Sequence, residues 1–112
     1  MNKLKIGLLG VGHLGKIHLK CILATSCWEL AGFYDPDEKN AASVLAQYPE
    51  LRRFVSLKDL LLEVDAVDIV TPTVTHYALA TQALRAGKHV FLEKPVTETV
   101  SEGRRLLKLA EK

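Results

Sequence analysis

Leu4-Lys5-Ile6-Gly7-Leu8-Leu9-Gly10-Val11-Gly12-His13-Leu14-Gly15 is the stretch that decides the fold. Its first half is a short apolar run that reads as a strand, and its second half is Gly-x-Gly-x-x-Gly. The residues after it carry Leu14, Ile17, His18, Cys21 and Ile22 at i, i+3, i+4, i+7 and i+8, which is a helical stripe. A glycine loop on its own predicts only a tight turn. Directly after a strand and opening a helix, it predicts a phosphate cradle. Gly10 permits the turn, Gly12 lets bare backbone approach a pyrophosphate, and Gly15 lets the helix pack close to the strand. The amides from Val11 to Leu14, with the helix dipole, would hold the anion. His13 is expected to contribute its backbone rather than its ring.

Short apolar runs then alternate with helical periods along the rest of the chain. Trp28–Tyr34 reads as a second strand, stopped by Asp35-Pro36-Asp37. Asp35 is a good N-cap, with Pro36 at the first helical position. Ala41, Val44, Leu45 and Tyr48 line a second helix, closed by Pro49. Arg53-Phe54-Val55 is a short third strand, and Ser56 caps a helix with Leu57, Leu60, Leu61 and Val64 inward. Ala66–Val70 is the fourth strand and Thr71-Pro72-Thr73 a loop. A helix follows from His76 to Ala86, with Tyr77, Ala80 and Leu84 inward and Gly87 as its stop. His89–Leu92 is the fifth strand. A last helix from about Thr99 places Val100, Gly103, Leu107 and Ala110 on one face. Such alternation predicts an α/β fold, a Rossmann-type doubly wound parallel sheet of about five strands in the order 3-2-1-4-5, with helices on both faces. Near-continuous apolar strands fit a sheet buried on both sides.

With 112 residues the chain is one domain's worth. A net charge of +2 and scattered basic pairs, Arg52-Arg53 and Arg104-Arg105 among them, read as solvated faces and exclude a nucleic-acid partner. No apolar run approaches the roughly 20 residues that span a bilayer, and the start lacks a signal-peptide pattern. The expected location is the cytoplasm, with no membrane partner. Cys21 and Cys27 read as reduced, packed thiols, and no metal site is expected.

Asp35 stands 20 positions past Gly15, where a carboxylate ending the second strand accepts hydrogen bonds from ribose hydroxyls. That carboxylate would repel a 2′-phosphate, and no arginine directly follows it. The cofactor expected is therefore NAD in preference to NADP.

Thr71-Pro72-Thr73-Val74-Thr75-His76, followed by Ala86-Gly87-Lys88-His89-Val90-Phe91-Leu92-Glu93-Lys94-Pro95, resembles the N-terminal domain of the Gfo/Idh/MocA (glucose–fructose oxidoreductase / inositol 2-dehydrogenase) family. The resemblance covers nearly the whole chain, in the family's order and spacing, and His18 also matches. It implies that Thr71 and Pro72 border the nicotinamide side of the cofactor and that His76 helps shape that wall. It implies that Glu93 hydrogen-bonds the nicotinamide ribose and that Lys94 is the catalytic proton-transfer group facing the substrate carbon. It also makes Lys94–Pro95 a candidate cis peptide. Lysine beside a cationic ring would have a lowered pKa, which suits exchange of a proton at a substrate oxygen.

The resemblance further implies hydride transfer between the nicotinamide and a sugar, polyol or related hydroxyl or carbonyl substrate. It places the substrate pocket, the second acid/base group and the subunit interface in a further domain that residues 1–112 do not contain. These residues alone are expected to bind dinucleotide weakly, to turn over no substrate, and to pair as a homodimer or exchange the last segment through the final helix and the sheet edge it borders. Two other readings stand beside this one. An NAD-binding sensor or regulator would need no Lys94. An S-adenosylmethionine-dependent methyltransferase fits the three-glycine spacing and Glu93-Lys94-Pro95 poorly.

Overall fold

In the computed structural model, residues 4–92, 97 and 99–111 are described. Five strands and five helices alternate: β1 (Leu4–Leu9), α1 (His13–Ala24), β2 (Trp28–Tyr34), α2 (Glu38–Gln47), β3 (Arg53–Phe54), α3 (Leu57–Glu63), β4 (Ala66–Ile69), α4 (Thr73–Arg85), β5 (His89–Leu92) and α5 (Val100–Ala110). The sheet is parallel throughout and runs β3-β2-β1-β4-β5, the expected order. Strand order reverses between β1 and β4, and ligands of such sheets bind at that switch point, outside the carboxyl ends of the strands.

Both faces of the sheet carry helices. On one side Leu19 and Ile22 of α1 and Ala41 and Val44 of α2 pack on Ile6, Leu8, Phe33 and Ala66. On the other, Leu57, Leu60 and Leu61 of α3, Ala80 and Ala83 of α4, and Leu106 of α5 pack on Leu9, Val67 and Ile69. Strand β4 is buried along its whole length, whereas the edge strand β5 is half open and leaves Phe91 48% exposed. No helix among the described residues is long and apolar enough to cross a membrane.

Several expected details differ. The buried line of α1 is Gly15, Leu19 and Ile22, with His18 beside it, while Leu14, Ile17 and Cys21 are exposed. Apolar residues surround this helix, and glycine adds no hydrophobic weight to a periodicity, so the true inner line is invisible in the pattern. Helix α5 likewise turns Leu106 inward, with Val100 and Leu107 exposed. Helix α4 starts at Thr73, three residues before His76, because Pro72 takes the cap position and its carbonyl accepts from the Thr75 amide at 2.9 Å. Both cysteines are free and exposed rather than packed. The expected cap at Ser56 and stop at Gly87 are in place, Gly87 with a left-handed φ of 78°, while Thr99, expected only as the approximate start of the last helix, caps it by accepting from the Glu102 amide.

Candidate functional site

The carboxyl end of β1 turns at Gly10, whose φ of 96° and whose closeness to the Val70 carbonyl leave no room for a side chain. The chain then enters α1 at Gly12, an N-cap without a side-chain hydrogen bond and with no acidic residue in the following turn. The first amides of a helix have no intrahelical acceptor, so this end is an exposed set of donors at the positive pole of the dipole. Gly15 is buried against the start of the loop: a Cβ there would lie 2.1 Å from the Gly10 carbonyl oxygen. Gly12 is different. A Cβ on it would meet only Asn40 Nδ2, at 3.7 Å. Gly12 thus fronts open space that a side chain would fill, and an anion fits there. His13 and Leu14 stand exposed beside it.

Asp35 is buried, at 7% exposed, and does not cap α2. Its Oδ2 accepts from the Val11 amide at 2.9 Å and from Asn40 Nδ2 at 3.1 Å, and its Oδ1 accepts from the Asp37 amide at 2.9 Å. Helix α2 is capped by Asp37, which accepts from the amides of Lys39 and Asn40. With Asp35 turned inward to the glycine loop, the next acidic residue takes the cap. The Val11 amide is consequently spent on Asp35, which leaves Gly12, His13 and Leu14 as the donors of the expected set that face outward. A carboxylate has about four acceptor sites, so with three used Asp35 retains one for a hydroxyl. A second bond, from the Gly10 amide to the Tyr34 carbonyl at 2.8 Å, closes the seam between loop and β2.

Two residues of this site had no signal in motif or spacing. Asn40 sits one position before the buried Ala41, so helical geometry aims it toward Asp35. Arg53 lies 18 positions past Asp35, yet its Nη2 donates to the Asp35 carbonyl at 3.1 Å. Alternation with the buried Phe54 could have flagged it, since it turns Arg53 to the α2 side. Arg53 is not part of a solvated face: its side chain is 19% exposed and makes a two-pronged pair with Glu38, at 2.8 and 3.0 Å. The pair lowers the Glu38 carboxyl below its ordinary range and raises the Arg53 guanidinium, the hydrogen bond being the main cause of both. Arg52, by contrast, lies out over the Phe54 ring at 4.2 Å.

Across the switch point, Thr71 and Pro72 end the β4 side of the same crevice. His76 is buried at 2% exposed and its Nε2 donates to the Thr71 carbonyl at 2.9 Å, so it braces this turn from behind. His18 and Asp68 pair at 2.6 Å on the α1 side of the sheet, which gives that histidine a structural tie between α1 and β4. Glu93, Lys94 and Pro95 lie outside the described residues. Among the described residues no three metal-ligating side chains gather.

Comparison with known proteins agrees with this fold. The chain is 44% identical over 111 residues to UDP-N-acetylglucosamine 3-dehydrogenase of Acidithiobacillus ferrooxidans, covering 99% of itself and 34% of that protein. The solved structure of that dehydrogenase superposes with a TM-score of 0.89, at 43% identity, covering 99% of this chain and 36% of the other. Inositol 2-dehydrogenase of Rhizobium meliloti is 33% identical over 94% of this chain and 32% of its own length. GenD2 from gentamicin A biosynthesis, solved in complex with NAD, matches with a TM-score of 0.90 at 26% identity over 99% of this chain and 32% of its own. The chain thus spans about a third of the length of the curated relatives it matches. The family model for the Gfo/Idh/MocA oxidoreductases, described as an NAD-binding Rossmann fold, matches residues 4–112, and the chain belongs to that family as its NAD-binding domain.

Proposed function

We propose that the chain binds NAD in preference to NADP and presents it as the cofactor half of a cytoplasmic dehydrogenase acting on a sugar, polyol or related hydroxyl or carbonyl substrate. The observation that carries this reading is the tie between Asp35 and the Val11 amide, set beside the uncapped start of α1. It holds a donor-rich helix end and an acidic strand end at one fixed separation, as a pyrophosphate linked to a ribose requires. Gly12, His13, Leu14 and Gly15 would hold the pyrophosphate through backbone amides. Asp35 would accept from the adenosine ribose, and Thr71 and Pro72 would border the nicotinamide end. Asp35 and Asp37 together make that corner acidic, which favours a free 2′-hydroxyl over a 2′-phosphate.

When bound, the nicotinamide supplies the carbon that exchanges hydride. From the family resemblance, Glu93 would hold the nicotinamide ribose and Lys94 would take or return the proton at the substrate oxygen. Lys94 alone makes no acid/base dyad, so a substrate-binding part beyond residues 1–112 would complete the pocket. We also extend the reading to self-association of these residues along β5 and α5, which leave Phe91 on the strand and Val100 and Leu107 on the helix exposed.

Titration with NADH, NADPH and S-adenosylmethionine, followed by nicotinamide fluorescence and protein melting, tests the reading. Saturable NADH binding, weaker NADPH binding and no response to S-adenosylmethionine are expected. No binding of either dinucleotide would overturn it.

A further inference from the structure

We propose that Glu38 sets the choice between NAD and NADP by holding Arg53, whose guanidinium is a 2′-phosphate ligand kept out of use. The inference rests on the cofactor reading above and concerns a different part of the site from the glycine loop. Arg53 reaches the end of β2 from below: one nitrogen is on the Asp35 main-chain carbonyl, and the same fork grips the Glu38 carboxylate with two bonds. Its Nε is buried with no acceptor among the described residues, so the guanidinium holds more donors than its partners use. The Glu38 side chain on the other prong is 80% exposed. The fork is therefore closed off on its solvent side by a single glutamate.

An arginine fork fits phosphate as well as it fits carboxylate, and an arginine near the acidic residue that ends β2 is what accommodates a 2′-phosphate. Here such an arginine is present but neutralised. Asp35 is a poor place to test the discrimination, because three of its acceptor sites are spent inside the protein. Its removal would loosen the loop that both dinucleotides need. Glu38 touches neither the glycine loop nor Asp35 in any hydrogen bond of the described residues, so its removal spares that loop and changes the fate of Arg53.

The test is fluorescence titration of the 112-residue chain and its variants with NADH and NADPH. Glu38→Gln is expected to tighten NADPH binding by about tenfold while NADH binding stays within about twofold, and to steepen the salt dependence for NADPH alone. Glu38→Asp, which keeps the charge, should hold NADPH binding near that of the parent. Adding Arg53→Met to Glu38→Gln should abolish the gain, with melting curves to show that the double variant folds. If it does not fold, Arg53→Lys in the same background should keep only part of the gain. An unchanged NADPH-to-NADH ratio in Glu38→Gln overturns the inference, as does a gain that survives loss of Arg53. A parent chain that binds neither dinucleotide overturns the cofactor reading, and this inference with it.

Discussion

Single residues of the loop divide into those that build it and those that leave room. Gly15 builds: an added Cβ would strike the Gly10 carbonyl. Gly15→Ala is expected to lower the melting temperature and to abolish NADH binding together. Gly12 leaves room, with nothing nearer than 3.7 Å. Gly12→Ala should melt close to the parent and still bind NADH much more weakly, and equal losses of stability in the two variants would refute the distinction. Asp35 belongs with the builders. Asp35→Ala strips the buried Val11 amide of its acceptor and should cost about 1–3 kcal/mol, read by urea unfolding. The three glycines and Asp35 were legible as a motif. What the motif could not say is that Asp35 ties the glycine loop to the end of β2, because that depends on a bond across 24 positions of sequence.

At the scale of elements, α1 offers a direct comparison of pattern with packing. Leu19 is 1% exposed and Leu14 is 45% exposed. Leu19→Ala should cost about 2–5 kcal/mol and Leu14→Ala about 0.5 kcal/mol or less in chemical denaturation. Reversal of that order would restore the sequence-based stripe. The stripe holds at Ile22 and fails at Leu14, Ile17 and Cys21, because the inner line of α1 begins on a glycine, whose value is closeness and not apolar area. Strand β3 and helix α2 are joined by Arg53 and Glu38, and this joint responds to pH with a definite sign. Glu38 titrates below its ordinary value of 4.5 in the folded chain, so it binds protons more weakly there than when unfolded. Its contribution is fully present above the ordinary value and is lost as pH falls through the lowered folded value. The difference in melting temperature between the parent and Glu38→Gln should accordingly be constant near neutrality and vanish in strong acid. The gap is expected to be small, since the carboxylate is exposed.

The whole molecule is an open doubly wound sheet, with a crevice at the point where strand order reverses. On the reading proposed above, Lys94 finds no second acid/base group within residues 1–112. Purified residues 1–112 should therefore bind NADH without dehydrogenase turnover, and steady substrate-dependent NADH formation would contradict the division of labour proposed above. Sedimentation at rising concentration should show self-association that a charge at Phe91, for example Phe91→Lys, suppresses. By itself the sequence determined the element order, the parallel sheet and the family, because strand and helix periods, glycine spacing and the Thr71-Pro72 and Glu93-Lys94-Pro95 motifs are all local. Only the tertiary structure decided which helix faces are buried, that Asp37 and not Asp35 caps α2, that the Val11 amide is spent on Asp35, and that Arg53 reaches the main-chain carbonyl of Asp35. Each of these turns on contacts between residues far apart in the chain, and such contacts compete for the same few donors and acceptors in ways that no local pattern records.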